Sequence, residues 1–88
     1  MSISKEMKNI LSHIAEMSDG NTSNGVYDTA LVTQSGLPKE EVYKYLGQLE
    51  SLDLIKISVK GSGVDFRIIN ITQNGLQNSS WSEVHDMR

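Results

Sequence analysis

Residues 28–53 read DTALVTQSGLPKEEVYKYLGQLESLD, and how this stretch folds decides how the rest of the chain is arranged. Ser35-Gly36-Leu37 lies between two short segments with apolar positions of their own, Leu31 and Val32 before it and the run from Val42 after it. Gly36 supplies the positive φ that a tight corner between helices needs, and Leu37 can plug back beneath that corner. Pro38 restarts the chain as a helix, because its fixed φ suits a first turn whose amide would lack an intrahelical partner. Glu40 and Glu41 in that turn favour the positive end of the helix dipole. Beyond them Val42, Tyr45, Leu46, Leu49 and Leu52 recur at three- and four-residue spacing, which places them on one buried stripe. Lys39, Tyr43, Lys44, Gly47 and Gln48 are left on the other face. The expectation is a helix-turn-helix whose second helix is open along one side.

Downstream, the period changes from helical to two. Ile55, Ile57 and Val59 alternate with Lys56, Ser58 and Lys60, the pattern of a strand with one face on a core. Gly61-Ser62-Gly63 turns the chain, and residues 64–71 return as a second strand. Phe66 and Ile68 share one face of it while Ile69 and Ile71 share the other, so either a bulge falls near Ile68 or both faces are covered. Upstream, Ile3, Met7, Ile10, Leu11, Ile14 and Met17 form the apolar side of a first helix that Ser2 or Ser4 caps. The polar stretch 19–25 reads as a mobile loop, and Val26-Tyr27 as a stub of strand. Asp28 then caps the second helix. Leu76, Trp81, Val84 and Met87 recur loosely in the C-terminal stretch, where helix propensity is poor and Ser79-Ser80 is a weak point.

LVTQSGLPKEEVYKYLGQLESLDLIKI, a glycine-containing hairpin and then INITQNG, in this order, resemble the winged helix-turn-helix domain of small bacterial and archaeal transcriptional regulators of the multiple-antibiotic-resistance and arsenic-repressor type. The resemblance spans residues 3–75. It departs from the family pattern at Val32, where Ala is usual, and at Asp53, where a glycine normally closes the second helix. An Asp in or near the left-handed region is the implied substitute, since Asp tolerates it better than most residues. A third departure is that the open helix face is not clearly basic. The implied fold is an α+β winged helix: three helices, a β-hairpin wing and a short C-terminal helix. As one domain over 1–88 it divides into a first helix (1–18), the helix-turn-helix (28–53), the wing (54–71) and the C-terminal helix and tail (72–88). The implied function is a DNA-binding transcriptional regulator.

Charge bears on that function directly. The formal net charge is −3, of which −2 falls in residues 1–28, none in 29–71 and −1 in 72–88. The presumed reading head is therefore neutral, and an isolated copy should bind duplex DNA weakly, because affinity leans on Lys and Arg neutralising phosphates. Two copies would double the contacts. The first helix and the Trp81-containing tail are available to pack across a twofold axis, as in similar regulators, so a homodimer is an open expectation.

The candidate DNA-binding residues are Lys39, Tyr43, Lys44 and Gln48 on the helix and Lys60 and Arg67 on the wing. Gln48 suits an adenine edge, and the lysines suit guanine or phosphate. A solvated helix face would use the same residue types, and Glu40 and Glu41 count against groove contact. The alternative function is therefore a protein-interaction winged helix that docks a partner on the face bearing Tyr43, without nucleic acid. Lys60 and Arg67 are backbone clamps in the first case and ordinary hairpin charges in the second.

Other chemistry finds no support. With no cysteine there is no disulfide, thiolate metal site or cysteine nucleophile. His13 and His85 lack a second ligand at metal spacing, and Glu40 and Glu41 diverge by about 100° around a helix, too far for an acid/base pair. Gly61-Ser62-Gly63 precedes no helix and is not a phosphate cradle. No enzyme activity, metal or cofactor is expected. The apolar runs are too short to span a membrane, and residues 1–5, MSISK, lack the apolar core of a secretion signal, so a cytoplasmic location is expected.

Overall fold

The computed structural model describes residues 3–60 and 66–79, with the side chains of Val59, Lys60 and Phe66 outside that description. The order of elements is α1 (Lys5–Met17), β1 (Val26–Tyr27), α2 (Asp28–Ser35), α3 (Lys39–Ser51), β2 (Ile55–Lys60), β3 (Phe66–Ile71) and α4 (Gln73–Asn78).

Helix α1 starts where Ser4 accepts the Met7 amide at 3.2 Å, and Ile10, Leu11, Ile14 and Ala15 on its apolar side are fully buried. Facing them are Leu31 of α2, Val42, Leu46 and Leu49 of α3, and Ile55, Ile69 and Ile71 of the sheet. One core thus sits between the helices and one face of the strands. Ile3 and Met17, at the two ends of α1, also pack on this core, so every apolar side chain of the helix is used within the chain. The loop 19–25 is bonded within itself, to the end of α1 and to β3: Asn24 donates to the Ser18 carbonyl at 3.1 Å, Asn21 accepts the Ser23 amide at 2.9 Å, and Asn70 donates to the Thr22 carbonyl at 3.1 Å.

The sheet is antiparallel with strand order β1-β3-β2. The β2–β3 register runs unbroken from Ile55 opposite Ile71 to Lys60 opposite Phe66, so no bulge falls at Ile68. Both faces of β3 are covered instead. Ile69 and Ile71 enter the core, while Ile68 on the reverse face lies so close to Gly25 that a Cβ there would overlap its methyl group. The expected stub, Val26-Tyr27, pairs with Ile69 and Ile68.

Helix limits differ by one residue from expectation at two places. Pro38 is the N-cap of α3, whose helical residues begin at Lys39, and Asp28 is the first residue of α2, behind Tyr27 as cap. Gly36 closes α2 at φ 70, and Asp53 follows α3 at φ 62, the left-handed conformation inferred for it. Thr72 fastens the last corner twice: its hydroxyl accepts the Gly75 amide at 3.0 Å and donates to the Asp53 carbonyl at 2.8 Å. Gly75 is buried there because any side chain would strike the Leu54 carbonyl. Helix α4 ends at the anticipated weak point, with Ser79 extended at ψ 169. The turn 61–63 and the tail carrying Trp81, Val84, His85 and Met87 lie outside the described residues.

Candidate nucleic-acid interface

Around the axis of α3, at about 100° per residue, the side chains divide into three sets. Val42, Leu46 and Leu49 face the core, flanked by half-buried Tyr45 and Leu52. Tyr43, Gly47 and Glu50 face the hairpin, and the Glu50 carboxylate accepts the Ile57 amide of β2 at 2.9 Å. Glu40, Glu41, Lys44, Gln48 and Ser51 are exposed and look outward.

The hairpin side holds the most connected polar cluster. Arg67 alternates with Ile69 and Ile71, so β3 presents it on the core-facing side at the end of the apolar pair. Its guanidinium lies 4.5 Å from the centre of the Tyr43 ring, and Nη1 is 4.0 Å from Oδ2 of Asp28. The Tyr43 hydroxyl donates to the same Oδ2 at 2.5 Å, while the Thr29 amide donates to Oδ1 at 2.9 Å. Asp28 is completely buried, whereas the Arg67 side chain keeps 41% exposure. One carboxylate therefore ties α2, α3 and β3 together.

Burial pushes the Asp28 carboxyl up, but hydrogen bonds from Tyr43 and from the Arg67 and Thr29 backbone amides, with the Arg67 charge, outweigh it and hold the group below the ordinary carboxylate range. The hydrogen bond to Asp28 is the chief reason that the Tyr43 phenol is raised, with burial and the Asp28 charge adding to it and Arg67 opposing. A buried anion satisfied in this way is a fixed point from which neighbouring cations can be oriented.

Two expectations change here. Tyr43 is not on the open face of α3; it is half-buried with its hydroxyl turned inward. Arg67 is not an ordinary hairpin charge, because its guanidinium packs on the Tyr43 ring and approaches the buried Asp28 carboxylate. Lys39 joins them, its Nζ 5.5 Å from the centre of the Tyr43 ring. Lys44 leans the other way, 5.2 Å from the centre of the Tyr45 ring, and Gln48 stays on the outward face. Lys39, Tyr43 and Arg67 are thus brought together, and Lys44 and Gln48 are not part of that group. The Lys60 side chain lies outside the described residues.

Sequence reading missed Asp28 as a partner, having given it only the cap of α2, and it missed Gly47 and Glu50. The signal for Arg67 was present in its even spacing from Ile69 and Ile71. Beside Arg67 a cleft of ≈ 220 Å³ opens between α3 and the hairpin, lined by Tyr43, Leu46, Gly47, Ile57 and Arg67. A smaller one of ≈ 90 Å³ lies between α1 and the corner, lined by Glu6, Asn9, Ile10, His13, Ser35 and Leu37. Among the described residues no three His, Asp or Glu side chains gather to hold a metal ion, and no helix is long and apolar enough to cross a membrane.

No protein-family model and no curated protein matches the sequence. Solved structures do match it. A zinc-responsive MarR family member, Lactococcus lactis ZitR, superposes with a TM-score of 0.73 at 16% identity over 98% of this chain. S. aureus MepR, in a complex with DNA, superposes at 0.73 with 18% identity over 96% of this chain. The chain spans 55% of the length of ZitR and 65% of that of MepR. A putative DNA-binding protein of Ralstonia eutropha superposes at 0.73 with 19% identity, covering 96% of this chain and 99% of that one. The likeness extends over nearly the whole chain and shows its fold, an α+β winged helix-turn-helix shared with these structures.

Proposed function

We propose that the chain is a DNA-binding transcriptional regulator that sets α3 in the major groove and rests the β2–β3 hairpin on the adjoining backbone. The observation that carries this reading is that the outward face of α3 stands open beside a hairpin tied to it through Asp28, Tyr43 and Arg67. MepR, which has the same fold, is described in complex with DNA, and this adds support at the level of the fold. In this reading Lys44 and Gln48 approach base edges, while Lys39, Lys60 and Arg67 approach phosphates. Tyr43 holds Arg67 rather than touching a base. Two copies bind together, which doubles the phosphate contacts available to a neutral reading head.

Fluorescence anisotropy on a labelled duplex library at low salt tests the proposal. Binding is expected to weaken with salt, with a slope of about −0.9 per phosphate contacted. Lys44→Ala and Arg67→Ala each weaken it, and Arg67→Ala makes the slope shallower. Absence of binding to every duplex at low salt contradicts the proposal.

The outward face of α3 favours a second reading, since Glu40 and Glu41 outnumber Lys44 there. A protein partner would meet that acidic face, and the chain would act as an interaction module. Affinity capture that recovers nucleic acid alone counts against this second reading.

A further inference from the structure

Gly47 is the residue of α3 for which folding offers no reason. It sits in the interior of a thirteen-residue helix, is exposed, and has ordinary helical backbone, being absent from the residues with positive φ. A Cβ added there would meet nothing within 4 Å. Glycine in such a position lowers helix stability, because it surrenders more backbone freedom than alanine on folding and packs nothing in return. The other glycines whose surroundings are described explain themselves: Gly25 and Gly75 are pressed against neighbours and Gly36 is left-handed.

What Gly47 does provide is space. It lies on the wall of the ≈ 220 Å³ cleft between α3 and the hairpin, whose remaining lining is Leu46, Ile57, Tyr43 and Arg67. Arg67 is the one charged group in that lining. Its guanidinium has five N–H donors, of which the 4.0 Å approach to Asp28 engages one edge. The Glu50 carboxylate of α3 has one oxygen held by the Ile57 amide.

We infer that this cleft receives the sugar–phosphate backbone of one DNA strand, and that Gly47 sets binding affinity by leaving room for it. The inference rests on the DNA-binding reading above. A duplex with α3 in its major groove and the hairpin on the far side of the groove wall must lay the intervening strand over the gap between those two elements. Ile57 offers an apolar wall to deoxyribose carbons, and Arg67, oriented by Asp28 and Tyr43, offers its open edge to the phosphate. Any side chain at position 47 would project into the path of that strand.

The test pairs two measurements on the full chain: equilibrium urea unfolding, and anisotropy titrations of a labelled duplex over a salt series, for the wild type, Gly47→Ala and Gly47→Gln. Gly47→Ala is expected to raise the ratio of folded to unfolded protein about 2- to 5-fold. It should at the same time weaken duplex binding about tenfold, and Gly47→Gln should weaken it further. Both variants should make the salt dependence shallower by about 0.9, the loss of one phosphate contact. Because the alanine variant folds more firmly, reduced binding cannot be laid to unfolding. A stabilised Gly47→Ala protein that binds duplex as tightly as the wild type overturns the inference and leaves the DNA-binding reading standing. A wild type that binds no duplex overturns both.

Discussion

Asp28 is a fully buried carboxylate whose partners come from two other elements, Tyr43 of α3 and Arg67 of β3. Its value is lowered in the fold, so its contribution to stability is complete above the ordinary carboxylate value of 3.8 and is lost as pH falls through the lower folded value. Tyr43 is raised, so its share is complete below 10.0 and is lost as pH rises through the higher folded value. Urea midpoints measured across pH should therefore fall on the acid side in the wild type, and Asp28→Asn should flatten that fall. Tyr43→Phe should remove the alkaline decline and cost about 1.5–3 kcal/mol at neutral pH, the worth of a hydrogen bond to a charged group. Arg67→Ala should cost less, about 1 kcal/mol or under, because that guanidinium remains partly in water. Equal losses from all three would mean that the carboxylate is not the fixed point. None of this cluster was visible as a unit in the sequence, where the members stand 15 and 39 positions from Asp28 and only the fold brings them into contact.

At the scale of elements, the corner between α2 and α3 turns on Gly36, while the end of α3 turns on Asp53, both with positive φ. Gly36→Ala should cost about 1 kcal/mol or more, since an L side chain resists the left-handed region. Asp53→Gly should be tolerated, while Asp53→Val should destabilise strongly, which thermal melts will separate. Leu46→Ala should cost about 2–5 kcal/mol, because its side chain is almost wholly enclosed where α3 meets the core. These elements were readable from spacing alone: the stripe of α3, the period-two strands and the polar loop each follow from which residues must leave water. The limits of α2 and α3 were misplaced by one residue, because proline and Asp serve equally well as cap or first helical residue. The choice between a bulge and a doubly covered β3 needed Gly25, whose contact with Ile68 joins parts of the chain that no local pattern connects.

For the whole molecule, the core joins the described helices to one side of the sheet and leaves the outward face of α3 exposed, the face proposed above for recognition. Among the described residues, Lys39 and Arg67 gather at Tyr43 while Lys44 points away with Glu40 and Glu41 for neighbours. Binding by one copy should accordingly be weak, and sedimentation of the full chain should give a dimeric mass at the concentrations where duplex is bound. A monomer that binds duplex tightly would contradict that expectation. The most direct measurement of the central claim, that α3 and the hairpin together face DNA, is a nitrogen-15 correlation spectrum followed during titration with duplex at low salt. The predicted result is that the amides of Lys44, Gly47, Gln48 and Arg67 shift together while those of Glu6, Asn9 and Glu16 on α1 stay in place; shifts confined to α1, or none at all, would contradict it.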